Sequence, residues 1–151
     1  MPYRICKTLE IESGHMLSKH REKCRFPHGH TRKVEFIVEA DSLDANEMVC
    51  DFKPIKELVN EYLESYDHAL CMNTEDPEYA HMKAAYGERV IGFTRLDPTT
   101  EVMAETIFRE FETRLRQHIL SGTADYPIRS EVRIVKVRVW ETSSSWAEFE
   151  A

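Results

Sequence analysis

The chain has 151 residues, 42% of them hydrophobic, and a formal net charge of −7. This length makes one folded domain that buries roughly two thirds of its unfolded surface without disulfide staples, and the composition argues against a disordered chain. The acidic balance argues against general nucleic-acid binding, and no apolar run approaches the ~18 residues of a membrane span.

Cys6, Cys24, Cys50 and Cys71 are widely spaced with no C-x-x-C pair. The charged start, Met1 to Lys7, is no export signal. The cysteines therefore read as reduced thiols of a cytoplasmic protein.

Tyr3 to Glu12 alternates. Tyr3, Ile5, Leu9 and Ile11 share one face, with Lys7 the exception, which predicts a half-buried strand. Ser13-Gly14 is expected to bend the chain before His15, and residues 16 to 27 form a polar loop. Thr31 to Ala40 is a second strand, with Val34, Phe36, Val38 and Ala40 on one face. Asp41 to Asp51 is a connection rich in turn residues. Asp51 caps the helix that follows, and Pro54 suits its first turn. Ile55, Leu58, Val59, Tyr62 and Leu63 give that helix, Phe52 to Ser65, an apolar stripe.

Residues 71 to 97 carry little pattern beyond a short helix, Glu78 to Tyr86, stopped by Gly87. Thr99 caps a helix running to about Leu120, with Glu101 in its first turn. Ser121 to Tyr126 is a loop. Glu131 to Trp140 is a third strand, in which Val132 and Ile134 are out of phase with Val135, Val137 and Val139, the mark of a bulge. Trp146 to Glu150 is a fourth. The order ββααββ predicts an α+β domain spanning 1-151, a four-stranded antiparallel sheet covered on one face by two helices.

The chemistry concentrates around Cys24-Arg25-Phe26-Pro27-His28-Gly29-His30. Residues two apart on an extended chain share a face, so His28 and His30 present two imidazoles side by side. If the first two strands pair as a hairpin, His15 approaches them. Three neutral imidazoles with an open fourth position are the donor set of a catalytic zinc site. Cys24 is close enough for its thiol to reach a substrate held there. A His-x-His pair by itself is more often a surface or structural feature than a metal site; His15 and Cys24 bring the two readings level.

Other residues also carry two readings. Lys19, Arg21, Lys23, Arg25, Arg32 and Lys33 are either a solvated loop or a positive field suited to a phosphorylated substrate. Asp67-His68 is a helix-end feature or a carboxylate-oriented imidazole acting as proton shuttle. Glu101 compensates the helix dipole or borders a site. Glu141, at a strand end, is exposed or has a partner.

Five separated pieces, in order, resemble the 6-pyruvoyl-tetrahydropterin synthase and 6-carboxytetrahydropterin synthase family across nearly the whole chain. They are Gly14-His15, Cys24 ahead of His28-Gly29-His30, Asp67-His68, Pro98-Thr99-Thr100-Glu101, and Val137 to Thr142. The resemblance implies the tunnelling fold (T-fold), in which strands of several subunits form a barrel. It implies a homo-oligomer, commonly a hexamer built as a dimer of trimers, with active sites between subunits.

It further implies Zn2+ on His15, His28 and His30. Cys24 would be catalytic acid or base, Asp67 and His68 would support proton transfer from a neighbouring subunit, and Glu141 and Glu101 would bind the pterin. The implied substrate is 7,8-dihydroneopterin triphosphate. With Cys24 retained, the resemblance favours the carboxy branch, on the queuosine and deazapurine pathway, which releases acetaldehyde and triphosphate, over the pyruvoyl branch, which eliminates triphosphate alone. A non-catalytic pterin-binding oligomer is the alternative of another class. Departures are Pro27 where the family has Leu, Thr100 where it has Ser, and a longer stretch from Glu75 to Leu96.

Overall fold

A computed structural model describes residues 1–122 and 125–151. Part of the loop expected at 121–126, residues 123–124, lies outside the described residues. In chain order the elements are β1 (Tyr3–Met16), β2 (His28–Ala40), α1 (Phe52–Leu63), β3 (Ala69–Asn73), α2 (Tyr79–Tyr86), β4 (Val90–Phe93), α3 (Thr100–Ser121), β5 (Arg133–Thr142) and β6 (Ser145–Glu150).

The sheet has six strands in the order β4-β3-β1-β2-β5-β6. The expected four-stranded antiparallel sheet of order ββααββ is therefore corrected to a larger, mixed one. β1, β2, β5 and β6 do pair antiparallel. β3 and β4 extend the sheet beyond β1 in parallel. Both added strands are short and lack alternation (Ala69-Leu70-Cys71-Met72-Asn73 and Val90-Ile91-Gly92-Phe93), because parallel strands covered on both faces have no polar side to display.

Two faces are covered. The main core joins β1, β2 and β5 to α1 and α3, whose Ile55, Val59, Met103, Ile107, Phe108 and Phe111 are buried. Phe36 of β2 meets Phe111 with ring centroids 5.0 Å apart, and truncating such a ring costs about 3–5 kcal/mol. A smaller cluster of Met16, Met72 and Val90, with Leu70, Tyr79 and Met82 against it, seats α2 on the opposite face. Gly92 is required there: a Cβ on it would stand 2.5 Å from the Tyr79 hydroxyl.

Local expectations hold where one residue decides them. Asp51 accepts from the Lys53 N–H at 2.8 Å, and Thr99 from the Val102 N–H at 3.1 Å. Gly87 ends α2 at φ 58°. The β5 bulge falls at Val135, since Ile37 pairs with Lys136 and Val38 with Ile134. That extra residue lets Ile134, Val135 and Val137 all be buried. One expectation fails: β1 does not bend at Ser13-Gly14 but runs straight through it, because Gly14 is held opposite Gly29 in the β1–β2 ladder.

Candidate active site and metal centre

The β1–β2 register sets the site. His15 lies directly opposite His28, and Ser13 opposite His30. The three rings pack with centroids 4.5, 5.1 and 5.0 Å apart. One ligating nitrogen from each lies within 4.8 Å of the others.

The tautomers follow from the hydrogen bonds. His15 Nδ1 is 2.8 Å from the Pro98 carbonyl oxygen, and His28 Nδ1 is 2.8 Å from that of Phe26. A carbonyl only accepts, so each Nδ1 carries the proton and each Nε2 offers a lone pair. His15 Nε2 and His30 Nε2 stand 3.2 Å apart. His28 Nε2 is buried with no partner among the described residues.

Burial pushes His15 down to about 4; Arg32 adds to this, and the Pro98 carbonyl opposes it. Burial, then Arg32, also lowers His30, against the pull of Glu141. Both imidazoles are thus neutral at neutral pH, the form that binds metal. An orphaned buried nitrogen, two rings fixed by backbone carbonyls and convergent lone pairs fit a zinc ion held by three histidines. His15, His28 and His30 are the residues that would hold it.

Glu141 reaches this cluster from the end of β5. Its Oε1 is 3.7 Å from His15 Nε2 and 3.6 Å from His30 Nε2. A cavity of about 450 Å³ beside it is lined by Cys24, Thr99, Thr100, Glu101, Glu141 and Trp146. Cys24, half-buried, sits in a short 3-10 turn, Lys23–Arg25, and its carbonyl accepts from the Leu17 N–H at 2.9 Å.

The five residues from Asp97 to Glu101 wire this cavity together. The Asp97 carboxylate accepts from Ser18 Oγ at 3.0 Å, the Lys19 N–H at 2.8 Å and Asn73 Nδ2 at 3.0 Å. It thereby latches the Cys24 loop to the end of β3. Burial pushes its carboxyl up, but the Asn73, Lys19 and Ser18 donors outweigh this and hold it below the usual carboxylate range. Pro98 fixes His15, and Thr99 caps α3. Thr100 donates to Glu141 Oε1 at 3.1 Å. Glu101 opens on the cavity.

Asp67 and His68 stand apart from Cys24. Asp67 Oδ1 accepts from the Glu12 N–H at 2.8 Å, and Oδ2 lies 2.8 Å from His68 Nδ1. The Glu12 N–H and then His68 hold the Asp67 carboxyl below its usual range. His68 is at φ 57°, a left-handed conformation that costs a non-glycine residue about 1–2 kcal/mol. Its N–H is tied to the Glu12 carbonyl at 2.6 Å. The carboxylate thus orients the imidazole, whose side chain is 70% exposed. His68 lines a second cavity, of about 590 Å³, with Gly14, Gly29, His30, Met82 and Arg89. Within one chain, then, His68 and Cys24 line different cavities.

The expected basic cluster is divided. Lys19, Arg21, Lys23 and Arg25 are exposed around the Cys24 turn. Lys33 is on the other sheet face, 5.5 Å from the Trp140 ring centroid. Arg32 is fully buried next to His15. The signal for this was the alternation itself, since Arg32 is in phase with His30, Val34 and Phe36. Nothing local announced the Asp97 latch.

The sequence profile of the 6-pyruvoyl tetrahydropterin synthase family matches residues 4–151. The chain is 30% identical to a 6-carboxy-5,6,7,8-tetrahydropterin synthase of Aquifex aeolicus over 167 residues, covering 99% of this chain and 98% of the relative. Among solved structures, an uncharacterized protein from Wolinella succinogenes superposes with a TM-score of 0.78 at 20% identity, covering 99% of this chain and 98% of that one. A 6-pyruvoyl tetrahydropterin synthase of Plasmodium falciparum superposes with a TM-score of 0.74 at 15% identity, with the same coverage. These two likenesses show the fold.

Proposed function

The chain belongs to the 6-pyruvoyl tetrahydropterin synthase family, and on that premise we propose that it is a zinc-dependent 6-carboxy-5,6,7,8-tetrahydropterin synthase. It converts 7,8-dihydroneopterin triphosphate and one water to 6-carboxytetrahydropterin, acetaldehyde and triphosphate, on the queuosine and deazapurine pathway. The observation that carries this reading is the trio of convergent imidazole nitrogens beside a cavity holding a thiol and two carboxylates. The carboxy branch is favoured by the Aquifex aeolicus relative, similar over its whole length.

Bound zinc supplies a Lewis acid that acidifies the hydroxyls of the substrate side chain. Glu141 receives the guanidine-like edge of the pterin through a bidentate, charge-assisted pair of hydrogen bonds. Glu101 borders the same ring. Cys24 takes a proton from carbon, and His68, oriented by Asp67, returns or relays it. The exposed Lys19 and Arg21 attract the triphosphate.

Cys24 and His68 line different cavities of one chain, which supports a homo-oligomer in which a neighbouring copy brings its His68 to this chain's Cys24. A hexamer built as a dimer of trimers is the assembly we infer. A cytoplasmic location fits the free cysteines.

Mass analysis of the products formed from 7,8-dihydroneopterin triphosphate by zinc-loaded protein tests the reading. The expected products are 6-carboxytetrahydropterin and acetaldehyde. A 6-pyruvoyl product moves the chain to the other branch, and absence of turnover makes it a pterin-binding oligomer.

A further inference from the structure

Arg32 has no exposed surface, although Thr31 and Lys33 on either side of it are exposed. Its Nη1 donates to Thr100 Oγ1 at 3.1 Å, and that hydroxyl donates onward to Glu141 Oε1 at 3.1 Å. A guanidinium only donates and a carboxylate only accepts, so the hydroxyl has one possible orientation.

Arg32 Nη2 lies 3.2 Å from His15 Nδ1 and 3.4 Å from His15 Nε2. His15 Nδ1 spends its proton on Pro98 and cannot accept. A nitrogen nearly equidistant from both ring nitrogens must also stand over the ring face, because in the ring plane it would collide with Cε1. The guanidinium therefore lies against the imidazole rather than bonding to it. Its Nε has no partner among the described residues.

A buried guanidinium is expensive to desolvate, and an apolar side chain would fill the same space at lower cost. What justifies the cation is the carboxylate one hydroxyl away. Glu141 sits at a strand end with its side chain 36% exposed, where several rotamers are open to it. Among the described residues its hydrogen bond and its approaches to the two imidazoles all fall on Oε1, while the residue lines the cavity.

We propose that Arg32 is a positioning residue: through the Thr100 hydroxyl it fixes the Glu141 carboxylate in the orientation that receives a cyclic guanidine edge, and it braces the face of the His15 ring. Recognition of two adjacent N–H donors needs both oxygens in one plane at one place. Arg32 supplies that pre-organisation from inside the fold, through a Thr100 hydroxyl at the cavity wall. The proposal rests on the reading of Glu141 as the pterin anchor.

The test is calorimetric titration of the zinc-loaded protein with 7,8-dihydroneopterin, which carries the ring but no phosphate, together with zinc content by mass spectrometry. Thr100→Val keeps the shape and removes the hydroxyl. It should weaken binding about tenfold, as expected for a lost hydrogen bond to a charged group, with zinc content unchanged. Thr100→Ser should restore binding, and Arg32→Met should match Thr100→Val.

In a Glu141→Ala background, Thr100→Val should add nothing. Thr100→Val binding like wild type while Glu141→Ala loses the ligand overturns the proposal and leaves the anchor reading standing. So does loss of zinc in Thr100→Val, which would make the hydroxyl a support of the metal site. If Glu141→Ala binds as wild type does, or wild type does not bind, the anchor reading falls and the proposal with it.

Discussion

His15 Nδ1 is bound to the carbonyl oxygen of Pro98, 2.8 Å away and 83 positions along the chain. That contact joins β1 to the entry of α3 and turns the His15 Nε2 lone pair towards His30. It couples the three-histidine cluster to the segment that also holds the Cys24 loop and Glu141. The consequences can be measured one component at a time.

Removing one imidazole should remove the metal. His28→Ala is expected to drop zinc from one ion per chain to a trace, measured by mass spectrometry. Chelation of the wild-type protein should lower its melting temperature by roughly 10 °C, since a ligand at a thousandfold excess over its Kd contributes about 4 kcal/mol. A melting curve indifferent to zinc and chelator would mean the triad holds no ion.

Cys24→Ala separates chemistry from binding. Turnover should fall by about 10²–10⁴, the usual contribution of a positioned acid or base, while zinc content and dihydroneopterin affinity stay at wild-type values. Full turnover without the thiol would remove Cys24 from the mechanism.

Acid should destabilise the metal-free protein through His15. Its folded value is about 4 against 6.5 unfolded, so the unfolded chain binds the proton more readily. Stability is fully present above pH 6.5 and falls as the pH drops from 6.5 towards 4. The loss is about 3 kcal/mol over that interval. Calorimetry of chelated protein between these limits reads it directly, and His15→Phe should flatten the slope. An unchanged slope in that variant would put the acid sensitivity elsewhere.

Asp97→Ala leaves the Ser18 hydroxyl, the Lys19 N–H and the Asn73 amide without their acceptor. The expected cost is about 2–4 kcal/mol, read from denaturant unfolding. Hydrogen exchange should rise selectively in residues 17–27, because the loop loses its latch. Protection unchanged there would show that the loop is held by its own turns.

Reversing the charge of Lys19 and Arg21 tests the exposed part of the basic cluster. The KM for 7,8-dihydroneopterin triphosphate should rise about tenfold at low salt, and the difference should shrink as salt screens the field. Equal KM values would make this loop solvated surface only.

Much of this protein is written locally. Alternation defines β1 and β2, Asp51 and Thr99 mark two helix starts, and the phase break around Val135 marks a bulge. The spacing of His28 and His30 alone puts two imidazoles on one face. These features rest on residues within a few positions of one another, so the sequence by itself determined them.

Tertiary structure decided the rest. Ala69–Asn73 is a strand because β1 offers it an edge, and Val90–Phe93 because β3 then offers the next one; no pattern in five or four residues could announce that. Asp97 is a latch because Ser18, Lys19 and Asn73 converge on it from distant segments. Arg32 looks like one more cation in a basic stretch; the β2 register turns it inward, where Thr100 and Glu141 from two other elements meet it. A buried charge is defined by its partners, and partners 68 and 41 positions apart along the chain are brought together only by the fold.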